Sequence, residues 1–142
     1  MIKNLTLEEI EKNDLLKEKE LSKNSDHNHL ITSQENKNLY GEVYSPFSLI
    51  RRMFAIIPEK TFKNPNLKWL DPGTGSGNFS IFLYFKLLEN LEGKIPDVEE
   101  RKTHIIKNMI YMAELREENI IILKSLFGPD ANIFEGNFMN YN

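Results

Sequence analysis

The nine residues Asp71-Pro-Gly-Thr-Gly-Ser-Gly-Asn-Phe79 restrict the possible folds of this chain more than any other stretch. Glycines alternate at 73, 75 and 77, behind an Asp-Pro pair and the short apolar run 67–70. Glycine reaches backbone angles, and tolerates close approach, that a Cβ forbids. The pattern predicts a tight strand-to-helix turn whose main chain lies flush against something else. A phosphate-binding loop is excluded, because position 78 is Asn where G-x-x-x-x-G-K-[ST] needs glycine, and no Lys-Ser/Thr follows. The dinucleotide pattern G-x-G-x-x-G fails at the same position.

The flanking sequence supplies the rest of an α/β unit. Ser45-Pro46 opens a helix carrying Phe47, Ile50, Phe54 and Ile57 at helical spacing, widened by Leu49, Met53 and Ile56 and ended by Pro58. Leu67–Leu70 reads as a strand, and Ile81–Leu91 as an apolar helix stopping at Gly93. Residues 92–104 read as a polar connection. Met109–Ala113 reads as a second strand ending at Glu114, Arg116–Phe127 as a helix, and Asn132–Phe134 as a third strand. Alternating apolar strands and helices predict the first half of a doubly wound parallel sheet. Ligands of such sheets bind beyond the carboxyl ends of the strands, where Asp71, Glu114 and Asn137-Phe138 all fall.

Residues 1–39 are expected to form a charged, partly helical and solvated lead-in, and 40–142 the folded unit. Thr6-Leu-Glu-Glu9 reads as a capping box for a weak helix reaching Leu21, and 22–29 as a linker. His27 and His29 lack the companions of a metal site, and none is expected. With no cysteine, disulfides and thiol catalysis are out. A net charge of −3 shows no basic field of the kind that draws nucleic acid. No apolar run approaches the roughly 18–20 residues of a membrane span, so the expected location is cytoplasmic, without membrane contact.

Asp71 at a strand tip repels a pyrophosphate but suits an ammonium group, and S-adenosyl-L-methionine carries one beside a sulfonium. Glu114, at the next strand tip, suits the ribose hydroxyls of the same molecule. It lies 43 residues after Asp71, against the usual distance of about 20, an excess assigned to the long helix and the polar connection.

Residues 71–79 resemble motif I, D-P-x-x-G-[ST]-G-x-F, of the restriction-modification adenine-N6-specific DNA methyltransferases. Tyr40-Gly-Glu-Val-Tyr-Ser-Pro46 resembles the segment that precedes motif I in the members carrying the cofactor site first. Tyr111-Met-Ala-Glu-Leu115 is similar to motif II, with Met112 for a usual glycine; Arg101-x-x-His104-Ile105 ahead of it also recurs. Phe134-Glu-Gly-Asn-Phe138 resembles motif III with Asn137 in place of Asp. The resemblance covers about residues 38–138. It implies the Rossmann-like sheet of class I methyltransferases, S-adenosyl-L-methionine as cofactor, and methyl transfer to adenine N6 in DNA. By the same resemblance Tyr44, Ser45 and Pro46 border the methionine carboxylate. Asp71 faces the ammonium, Gly73, Gly75 and Gly77 line the methionine arm, and Pro72, Thr74 and Asn78 of the same motif are expected to bind the cofactor. Glu114 takes the ribose, Asn137 meets the adenine amino edge, and Phe138 or Phe79 forms an apolar wall.

The family's catalytic Asn/Asp-Pro-Pro-Tyr/Phe motif is missing, since the 142 residues contain no Pro-Pro pair. The expectation is therefore a cofactor-binding portion, truncated or one half of a split enzyme, without catalytic residues and inactive alone. DNA contact is expected through missing or separate regions. In the family's sheet the first strand pairs with the fourth, so Leu67–Leu70 is expected to show an open apolar edge that a second chain would complete. The alternatives are a methyltransferase for a protein glutamine or an RNA base, and a non-catalytic module that kept the fold.

Overall fold

The computed structural model describes residues 6–12, 47–137 and 139. In chain order the elements are α1 (Leu7–Lys12), α2 (Phe47–Ile56), α3 (Glu59–Phe62), β1 (Trp69–Asp71), α4 (Asn78–Asn90), α5 (Val98–His104), a π-helical turn (Ile105–Met109), β2 (Ile110–Glu114), α6 (Glu117–Phe127) and β3 (Asn132–Glu135). The three strands form one parallel sheet in the order β1-β2-β3. An α/β half-sheet with flanking helices was expected, and this is one.

Side-chain alternation divides the sheet into two unlike faces. Trp69, Ile110, Met112 and Ile133 point to the helix layer, where Ile81, Leu87, Leu123 and Phe127 close the core. Right-handed crossovers that step in one direction along a sheet put every connecting helix on the same face. Here α4, α5 and α6 follow that rule. Leu70, Tyr111 and Phe134 share the opposite face, and Leu70 is 52% exposed. The open edge expected at the first strand is present among the described residues, with β1 as a terminal strand.

Several boundaries differ from expectation. Strand β1 starts at Trp69 rather than Leu67, because Asn64 and its neighbours spend 64–67 in a turn closed by Leu67 N–H to Asn64 O. Pro58 does more than end α2: it sets the start of α3, whose Phe62 is fully buried and stacks on Trp69 at 5.3 Å. The expected polar connection 92–104 holds a helix. Asp97 caps it by accepting from the Glu100 amide at 2.8 Å. Only Arg101, Ile105 and Met109 turn fully inward, four residues apart, and the charge at the first of these hid the helical period.

The lead-in is also more engaged than expected. Thr6 and Glu9 form the reciprocal capping bonds, Thr6 N–H to Glu9 Oε2 at 2.7 Å and Glu9 N–H to Thr6 Oγ1 at 3.2 Å. The helix they start buries Leu7 and Ile10 in the common core instead of leaving that face solvated. The expected extension to Leu21, the linker, His27 and His29 lie outside the described residues. Among the described residues no helix is long and apolar enough to cross a membrane.

Candidate functional site

The glycine turn is stitched to its neighbours at the carboxyl rim of the sheet. Thr74 donates its hydroxyl to Asp71 O at 2.9 Å and its amide to Ala113 O at 3.1 Å, pinning the turn to β2. Gly136 N–H donates to Glu114 O at 2.9 Å, which pins the loop after β3 to the same strand end. Three loops are thereby held at one rim.

The glycines serve different ends. Gly75 has φ of 60°, in the left-handed region that favours glycine. Gly77 has φ of 101°, and a Cβ there would lie 2.9 Å from Leu123 Cδ2 of α6. Its bare backbone is accounted for by helix packing, a role the sequence reading had given to the ligand. A Cβ at Gly73 would meet nothing within 4 Å, so that position faces open space. Gly77→Ala is expected to cost about 2 kcal/mol, from backbone strain and a forced shift of a fully buried leucine. A urea unfolding midpoint measures it, and an unchanged midpoint would contradict the packing role.

Helix α4 begins at Asn78 with Gly77 as its N-cap, a residue with no side chain to bond the amides at the helix's positive end. Asn78 is 4% exposed, and neither its amide nitrogen nor its carbonyl oxygen has a hydrogen-bond partner among the described residues. A buried carboxamide left this way costs roughly 1–3 kcal/mol per group, a cost that a polar ligand or water can relieve.

Asp71 ends β1 on the helix side, where the Ser80 hydroxyl donates to Oδ2 at 2.8 Å. Burial raises its pKa above the ordinary carboxylate range. The bonds from Ser80, the Gly73 backbone and Thr74 oppose that rise, while the charge of Glu114 adds to it. The two carboxylates therefore sense each other across one site. Glu114 is buried and firmly held. Its Oε1 accepts from Leu115 N–H at 2.7 Å and Arg116 N–H at 3.1 Å, and its Oε2 from Asn119 Nδ2 at 3.2 Å. It braces the link from β2 into α6 and keeps about one of its four acceptor positions for anything else.

The other expected residues divide. Phe79 packs edge-on against Phe54 at 5.0 Å, in the interface of α2 and α4, so its ring is partly committed to the core. Asn137 is exposed, and its Oδ1 accepts from Met139 N–H at 2.9 Å, leaving one lone pair on that oxygen. Pro72 is exposed at the tip of the turn. Tyr44, Ser45, Pro46 and Phe138 lie outside the described residues. Ser80 and Asn119, which orient the two acids, were missed; each sits inside a helix with no flanking motif to mark it. Among the described residues no group of three or more His, Asp or Glu is arranged to hold a metal ion.

A parallel sheet with acids on two adjacent strand tips and a glycine turn between them has the architecture of α/β domains, a class whose ligands sit at the strand ends. Over 123 residues the chain is 32% identical to an uncharacterized adenine-specific methylase of Mycoplasma pneumoniae (strain ATCC 29342 / M129). That alignment takes in 84% of this chain and 25% of the relative, so the chain spans about a quarter of that protein's length. The likeness supports a methyltransferase relationship. No protein-family model matches the chain.

Proposed function

We propose that this chain is the S-adenosyl-L-methionine-binding portion of a DNA adenine-N6 methyltransferase of restriction-modification type. The observation that carries the reading is two buried carboxylates, Asp71 and Glu114, at the tips of adjacent strands of one rim, near enough that the charge of Glu114 helps to raise the pKa of Asp71. A ligand with a positive amino-acid end and a neutral sugar satisfies both, and a polyphosphate satisfies neither. Asn78's unpartnered carboxamide and the open side of Gly73 fit the same ligand.

When bound, the cofactor supplies an electrophilic methyl group. This chain's residues do the holding. Asp71 accepts from the ammonium, and the uncapped start of α4 with Asn78 favours the carboxylate. Glu114 offers its remaining acceptor position to a ribose hydroxyl. Asn137 uses its free lone pair and its amide on the adenine edge. Tyr44, Ser45, Pro46 and Phe138 are assigned to the same cofactor by resemblance. Residues that grip the target adenine, and the DNA contact itself, belong to a polypeptide beyond the 142 residues.

Co-expression with the unaligned part of the Mycoplasma relative, in cells lacking adenine methylation, tests this reading. N6-methyladenine is expected in genomic DNA from the pair, and none from this chain alone or from the Asp71→Ala pair. Modified glutamine or RNA with unmodified DNA would move the substrate to the alternative class. No modified product from a complex shown to form would contradict the reading.

A further inference from the structure

The two acids of the rim are held in the same way. Ser80 is the third residue of α4 and Asn119 the third residue of α6. Each stands in the first turn of the helix that follows its strand, and side chains on a helix lean toward its N-terminus. Ser80 thereby reaches back to Asp71 Oδ2 at 2.8 Å, and Asn119 Nδ2 to Glu114 Oε2 at 3.2 Å. Both donors are 0% exposed, so neither is placed to meet solvent. A hydroxyl has one hydrogen to give, and a serine inside a helix ordinarily turns it to water or to the preceding turn's carbonyl. Ser80 gives its own to an acid nine residues earlier. Helices α4 and α6 are themselves fixed against each other where a Cβ at Gly77 would meet Leu123. The separation of the two donors, and with it that of the two acids, is set in the helix layer.

We propose that Ser80 and Asn119 are positioning residues, each serving one end of the ligand: Ser80 presents Asp71 to the ammonium, and Asn119 presents Glu114 to the ribose. The assignment rests on the S-adenosyl-L-methionine reading and adds to it that the two ends are set independently. Both residues act through their acid rather than on the ligand. Among the described residues, Asp71 is acted on by Ser80 from α4, by the Gly73 backbone and the Thr74 side chain from the turn, and by the charge of Glu114 from β2. The Ser80 bond favours the ionised carboxylate, the form that pairs with an ammonium. Without that bond Asp71 takes up its proton at a higher pH, and its carboxylate is freer to turn. Glu114 keeps its bonds from the Leu115 and Arg116 amides when Asn119 is removed, so that change releases Oε2 rather than the whole side chain.

Two probes separate the ends: S-adenosyl-L-methionine, and 5′-methylthioadenosine, which keeps the base and ribose but lacks the amino-acid arm. The full chain, mixed with the unaligned part of the Mycoplasma relative, is titrated with each from acid to neutral pH. Ser80→Ala removes one oxygen and installs the best helix former, so the fold should stand. It is expected to weaken S-adenosyl-L-methionine binding by about 10-fold, the loss of one hydrogen bond to a charged group. It should also move upward the pH at which that binding fails, and leave 5′-methylthioadenosine binding unchanged. Asn119→Ala is expected to weaken both probes alike; if that variant does not fold, Ser80→Ala alone decides the proposal. Equal weakening of both probes by Ser80→Ala, no weakening of either, an unmoved pH profile, or no binding of 5′-methylthioadenosine by the native protein would overturn the proposal and leave the cofactor reading intact. No binding of S-adenosyl-L-methionine by the native protein would instead overturn the cofactor reading, and this assignment with it.

Discussion

Asp71→Asn is expected to stabilise the ligand-free chain at neutral pH while weakening S-adenosyl-L-methionine binding by about 10- to 100-fold, the value of one hydrogen bond to a charged group. Both effects have one origin. Burial raises the pKa of Asp71 in the folded state, so folding favours its protonated form. The stability contributed by that preference is complete below the ordinary carboxylate pKa and is lost as pH rises through the folded value. Asparagine keeps an oxygen to accept from Ser80 without ever ionising. The stabilisation in the variant should therefore vanish on acidification, when the native Asp71 is neutral too. Thermal melts of both proteins from acid to neutral pH measure it. Parallel curves, with no pH-dependent gap, would show that the carboxylate is not destabilised by its site.

Arg101→Met is expected to lower stability by about 3 kcal/mol, since it strips partners from buried carbonyls. Arg101 is 7% exposed and donates from Nη1 to Leu88 O at 2.9 Å and from Nη2 to Pro96 O at 3.3 Å. The first acceptor lies in the last turn of α4, whose carbonyls have no partner within the helix. Arg101 therefore ties α4, which carries the glycine turn at its other end, to the segment entering β2. His104 adds a second tie, with Nε2–H donating to Pro65 O at 2.7 Å just before β1. A urea midpoint reports the stability loss. Cofactor affinity per folded molecule should be unchanged; a loss of affinity without a loss of stability would give Arg101 a place in the site itself.

These two residues also mark how far the sequence could be read. Asp71 and Glu114 were legible because glycine spacing and apolar strands are local signals, and strand ends follow from them. Arg101 was noticed only as part of a recurring run; its capping role needs Leu88 and Pro96, 13 and 5 residues away. The helix carrying it was hidden because one of its few inward positions is charged. Gly77 shows the opposite failure. Its spacing was legible, but the reason for it sits on α6, at Leu123. The bonds holding Glu114 come from the loop and helix that follow it, and no periodicity announces them.

The central claim is that the rim built by Asp71, Glu114 and the glycine turn accepts a cationic nucleoside rather than a phosphorylated one. Isothermal titration of the chain, mixed with the unaligned part of the Mycoplasma relative, with S-adenosyl-L-methionine and separately with ATP tests it most directly. The account predicts saturable binding of the first that weakens as pH falls and Asp71 takes up its proton, and no binding of the second. Tighter binding of ATP, or no heat with S-adenosyl-L-methionine at any pH, would contradict it.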